Sequence, residues 1–86
     1  MDGSNVRRMD LRNVFEPIAL LKISQLCREM KLDDTLEIHV DDADFHVNLI
    51  RLLRCCHVRV LADNKCTGSE TGWRVIIQKQ SQGGSP

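Results

Sequence analysis

Tyrosine is absent from this chain, and Phe15, Phe45 and Trp73 are the only Phe, Tyr or Trp rings among its 86 residues. Three scattered rings make no base-stacking platform for single-stranded nucleic acid. A surplus of one charge is missing too: twelve basic and twelve acidic residues cancel, so no long-range positive field gathers phosphates or anionic lipid. Long apolar runs are also lacking. The longest aliphatic stretch, Ile18 to Leu21, stops at Lys22, and MDGSNVRRMDLR has charges where a secretion leader would have an apolar core. The expectation is a soluble, cytoplasmic protein with neither a nucleic acid nor a membrane as partner.

The four cysteines, Cys27, Cys55, Cys56 and Cys66, form no C-x-x-C pair and no paired zinc knuckles. Cys55-Cys56-His57 cannot all converge on one ion, so no metal site is expected. Reduced thiols in a cytoplasmic protein are the plain reading. No serine sits in a nucleophile elbow and no glycine-rich loop follows a strand to cradle phosphate. The chain therefore carries no enzyme signature, and no cofactor is expected.

What is present is pattern. A chain of this length is one domain that buries about 60–65% of its unfolded surface. Residues 1–5 and the Gly/Ser/Pro tail 81–86, with Gly83-Gly84, read as flexible ends around a domain at 6–80. Val6 to Arg12 alternates weakly, with Met9 and Leu11 on one side, as a strand with one wet face does. From Pro17 to Lys31, Ala19, Ile23, Leu26, Cys27 and Met30 recur at i, i+4, i+7, i+8 and i+11, the stripe of an amphipathic helix. Thr35 to Asp41 sets Leu36, Ile38 and Val40 against Glu37, His39 and Asp41 with period two. Asp42 or Asp44 can cap a second helix, in which Phe45, Leu49, Leu52, Leu53 and Cys56 repeat the first helix's spacing. Val58, Val60 and Ala62 form a third strand, Asp63 to Gly72 a ten-residue loop, and Trp73, Val75 and Ile77 a fourth strand.

The order βαβαββ, one apolar stripe per helix and the right-handed βαβ crossover predict an α+β fold. It is a two-layer α/β sandwich, a four-stranded mixed sheet with both helices on one face. The other face is left open, bearing Glu37, His39, Arg59, Leu61, Arg74 and Ile76.

MDLRNVFEPIA, leading from the first strand into the first helix, resembles the motif L-D-x-R-G-L-x-C-P-x-P of the TusA/SirA family of small sulfur-carrier proteins. Asp10, Arg12 and Pro17 match, Asn13 replaces the glycine, Ala19 replaces the second proline, and Glu16 stands in the cysteine's place. Further on, DDTLEIHVDDAD is similar to the family's G-E-T-L-x-I-x-x-D-D-P-x, and GWRVIIQK to its aromatic-led closing strand. The resemblance spans roughly residues 9–79. It implies the fold already read from periodicity, and a helix start at which a cysteine would carry sulfur as a persulfide between partner proteins. Unpaired N–H groups and the helix dipole stabilise a thiolate there. A carboxylate cannot be thiolated.

Glu16 therefore reads in two ways. It is a first-turn carboxylate that helps the helix start, or it imitates the charge of a loaded thiolate and lets the domain occupy a docking site without reacting. The resemblance and the lost cysteine point to a protein-binding module linked to sulfur or redox metabolism. Glu16 with Pro17 would serve at the helix start, and Glu37, His39, Arg59 and Arg74 on the open face. The alternative is a carrier or redox protein using Cys66, which lies in the loop DNKCTGSET with Lys65 beside it to favour the thiolate. A homodimer through the open face is a further arrangement. An RNA-binding sheet is opposed by zero net charge and few aromatics.

Overall fold

The computed structural model describes residues 6–68 and 71–80; the expected flexible ends lie outside them. The elements are β1 (Val6–Asp10), α1 (Glu16–Glu29), β2 (Thr35–Val40), α2 (Ala43–Arg54), β3 (Val58–Lys65) and β4 (Trp73–Lys79). They make one sheet in the order β1-β2-β4-β3, with β1 parallel to β2 and the other pairs antiparallel. The predicted α+β sandwich is the observed fold.

The apolar stripes account for the layers. Ala19, Ile23 and Cys27 of α1 and Phe45, Leu49 and Leu53 of α2 are buried in one core with Leu36, Ile38 and Val40 of β2 and Val75 and Ile77 of β4. Both helices thus cover the same sheet face. Burying each large aliphatic side chain contributes about 1.5–3 kcal/mol. The side chain of Asp42 caps α2 by accepting from the Asp44 N–H at 2.9 Å. Asp34, also buried, closes the turn before β2: its carboxylate accepts from the Lys31 N–H at 3.0 Å, and its carbonyl accepts from the Lys79 N–H at 2.9 Å.

Two boundaries and one register differ from the sequence reading. β1 ends at Asp10 because Arg12 turns back on it. The Asp10 carboxylate accepts from the Arg12 N–H at 3.1 Å and from Nε and Nη2 at 2.9 and 2.7 Å. Asn13 then takes a positive φ of 67°. β3, secondly, runs through Asp63, Asn64 and Lys65, which the polar composition assigned to a loop. As an edge strand it needs no apolar face. Thirdly, a bulge at Leu61 shifts its register: Val60 pairs with Ile77, but Ala62 pairs with Ile76. Ala62 therefore lies on the open face, opposite to Val60, while Asp63 and Lys65 turn to the helix side.

Gly72, where β4 begins, is buried with φ 98°, and a Cβ there would lie 2.0 Å from the Val40 carbonyl oxygen. Only glycine permits this approach. Gly72→Ala is expected to cost at least about 2 kcal/mol of unfolding free energy, read as a lowered urea midpoint at unchanged slope.

Candidate functional site

The parallel β1 and β2 deliver both helix starts to one end of the sheet. The registers Asp10↔His39, Val40↔Trp73 and Lys65↔Trp73 bring the start of β4 and the end of β3 to the same end. Glu16 and Cys66 are thus placed at one end of the domain, on the helix and open sides respectively.

Glu16 is the first residue of α1 and Pro17 the second, where its missing N–H costs no helical bond. Phe15, in the cap position, supplies no side-chain hydrogen bond. The Glu16 carboxylate instead accepts a hydrogen bond of 2.6 Å from Asn48 Nδ2, tying the start of α1 to α2. This inter-helix role was not foreseen, because the two residues are 32 positions apart and nothing local marks Asn48. Around Glu16 the helix is unusually apolar outside: Phe15, Ile18 and Leu21 are 69%, 50% and 58% exposed.

On the open face the structure brings Glu37, His39, Arg74 and Cys66 together. Cys66 lines a cleft of about 610 Å³ with Glu37, Arg74 and Ile76. Glu37 lies between two guanidinium groups, 3.8 Å from Arg8 Nε and 3.8 Å from Arg74 Nη1. His39 is buried, contrary to a wet open face, with Cys66 and Thr71 lying against it. Its Nε2 lies 3.0 Å from the Thr71 carbonyl oxygen and 3.6 Å from Cys66 Sγ. A carbonyl only accepts, so Nε2 carries the hydrogen. His39 can then offer a weak second donor contact to a Cys66 thiolate, but it cannot take the thiol's proton in this arrangement.

Lys65 lines the same cleft as Cys66, with its ammonium turned toward Trp73. Beyond the bulge it points to the helix side, where its ammonium sits 5.8 Å from the Trp73 ring centre. Trp73 stacks on His46 at 5.0 Å, and His46 Nε2 bonds Asp63 Oδ1 at 2.8 Å. Arg59 pairs with Gln78 toward the other end of the sheet and stands apart from the Cys66 cleft. Leu61 is exposed at the bulge, while Ile76 is half-buried in the cleft wall.

All four cysteines are free thiols. Cys27 is buried in the core as expected, whereas Cys56 is half-buried and Cys55 exposed. Among the described residues no cluster of three or more His, Cys, Asp or Glu could hold a metal ion, and no helix is long and apolar enough to cross a membrane.

No family model matches the chain, and no curated protein matches it.

The Glu16–Asn48 bond makes a direct prediction. Asn48→Ala leaves a half-buried carboxylate oxygen without its donor and is expected to lower unfolding free energy by about 1–2 kcal/mol. In Glu16→Ala the further change Asn48→Ala should cost clearly less, a coupling read from the four urea curves of a double-mutant cycle.

Proposed function

We propose that this chain is a protein-binding domain built on a TusA/SirA-like sulfur-carrier scaffold, with Glu16 in the sulfur-carrying cysteine's place, and that it docks another protein at the start of α1. The exposure of Phe15, Ile18 and Leu21 carries this reading. Three large apolar side chains, spaced i, i+3 and i+6, stand in water on the outer side of the first turns of α1, while Glu16 at the same helix start faces α2. The fold makes no use of them, and clustered exposed apolar surface marks interaction sites. The partner that fits offers an apolar surface with a cationic group for Glu16. Reduced thiols suit a cytoplasmic setting linked to sulfur or redox metabolism.

Backbone geometry supports the scaffold assignment. Asn13 and Asp33 are the two non-glycine residues with positive φ among those described, at 67° and 72°. Both fall on glycine places of the motifs compared above, where the family's residue needs no steric tolerance and Asn or Asp is the next best choice. Ala43, in the proline's place, is the first residue of α2, a position that favours proline.

A second reading rests on the Cys66 cleft. A half-buried thiol with a ring N–H at 3.6 Å, and Arg74 beside the same cleft, favour a thiolate that could accept sulfane sulfur. The Cys66 thiolate would attack the outer sulfur of a donor persulfide, form the Cys66 persulfide and release the donor thiolate. Incubating the reduced protein with a cysteine desulfurase and cysteine, then mapping adducts by mass, tests it. Sulfur on Cys66 that is lost in Cys66→Ser supports it, and an unmodified Cys66 removes it.

The docking reading is tested by affinity capture with the tagged chain, followed by titration calorimetry on each recovered partner. Phe15→Ser with Leu21→Ser should weaken binding at least about tenfold, the loss of roughly 1.4 kcal/mol or more expected from truncating buried anchors, while circular dichroism stays unchanged. Recovery of no partner, or partners indifferent to both this pair and Glu16→Arg, sinks the reading.

A further inference from the structure

The opposite end of the domain holds a second group of thiols that the proposed function leaves unused. Both helices run parallel, so the end of α1 and the residues after α2 meet there. Cys27, Cys55 and Cys56 line a single cleft of about 500 Å³, together with Arg28, His57 and Lys79. Cys27 is 1% exposed and Cys56 half-buried against it. Lys79 Nζ donates to the Cys27 carbonyl oxygen at 2.5 Å, capping the last turn of α1 with a cation. Burial, and next the neighbouring Cys56, push the Cys27 thiol up to about 12. Cys27 thus stays protonated, and Cys56 is the more accessible of the two thiols.

Three thiols thus share one cleft with the cationic Arg28 and Lys79. We propose that Cys56 and Cys27 form a dithiol–disulfide couple, oxidised by an anionic low-molecular-weight disulfide, of which glutathione disulfide is the probe, drawn in by Arg28 and Lys79. The Cys56 thiolate attacks one sulfur of the disulfide, forming a mixed disulfide and releasing one thiolate, which takes a proton from water. Cys27 then attacks the Cys56 sulfur, its proton leaving with the second thiol. Two protein thiols are oxidised and one small disulfide is reduced to two thiols. Cys55 does not pair with Cys56, because adjacent Cα atoms stand about 3.8 Å apart, short of the roughly 4.4–6.8 Å a disulfide spans. The bridge would bolt the end of α1 to the segment between α2 and β3, at the far end of the domain from Glu16 and Cys66.

The test uses the full chain, reduced and then incubated with glutathione disulfide at pH 8, quenched in acid, alkylated and peptide-mapped. The expected product has lost two hydrogens, about 2 Da, and yields a Cys27–Cys56 peptide. Cys55→Ser/Cys66→Ser, which alters only thiols outside the core, should form the same bridge, and Cys27→Ala should stop at glutathione on Cys56. Arg28→Gln should slow oxidation by glutathione disulfide about two- to five-fold and leave oxidation by neutral hydroxyethyl disulfide unchanged. Cys27 recovered alkylated after complete exposure, or a bridge through Cys55 or Cys66, overturns the proposal, and equal slowing with both oxidants overturns the role of charge.

Discussion

The pairing of β2 with β4 is the contact on which the rest of this domain depends. These two central strands supply Leu36, Ile38, Val40, Val75 and Ile77, all fully buried, and both helices lie on the ridge those side chains make. β1 and β3 add only edges to it. In a chain this short the core is a single layer of side chains between sheet and helices, so a change on the central strands reaches both helices at once. Gly72 shows how tight the pairing is: the first residue before β4 passes so close to the Val40 carbonyl that no side chain fits between them.

The same pairing sets the chemistry at either end. Parallel β1 and β2 send both helices in one direction, so the helix starts gather at one end and the helix ends at the other. The starts carry Glu16, Asp42 and Asp44, and the last turns carry Arg28, Arg51 and Arg54, each sign complementing the helix dipole. Thiols occur at both ends in different company. Cys66 lies on the open face beside His39 and Arg74, while Cys27, Cys55 and Cys56 lie among Arg28, His57 and Lys79. A neutral chain can in this way hold two local fields of opposite kind without a net charge.

Much of the architecture was readable because it obeys simple periods. The alternation of Thr35 to Asp41 and the two i, i+4, i+7 stripes identified β2, α1 and α2 to within two residues. β3 was misread from Leu61 onward, since a bulge adds one residue and reverses every following side chain, and no residue type in VRVLADNK announces it. Asp63 to Lys65 looked like loop because edge strands tolerate polar residues on both faces. The sites were legible in part: Glu16, His39 and Cys66 were singled out by type and position, but Asn48 and Thr71, each 32 residues from the group it binds, carried no local mark.

The sequence by itself determined which residues are apolar and at what spacing, and hence the elements, their order and the helix-covered face of the sheet. These follow from local geometry, where a period of two or of 3.6 is a property of the chain alone. Tertiary structure alone decided that Glu16 is held by Asn48, that His39 lies against Cys66 and spends its Nε2 hydrogen on Thr71, and that Cys27 and Cys56 share a cleft. Such contacts join residues distant along the chain. They exist only once the layers have closed and brought particular side chains within a few ångströms.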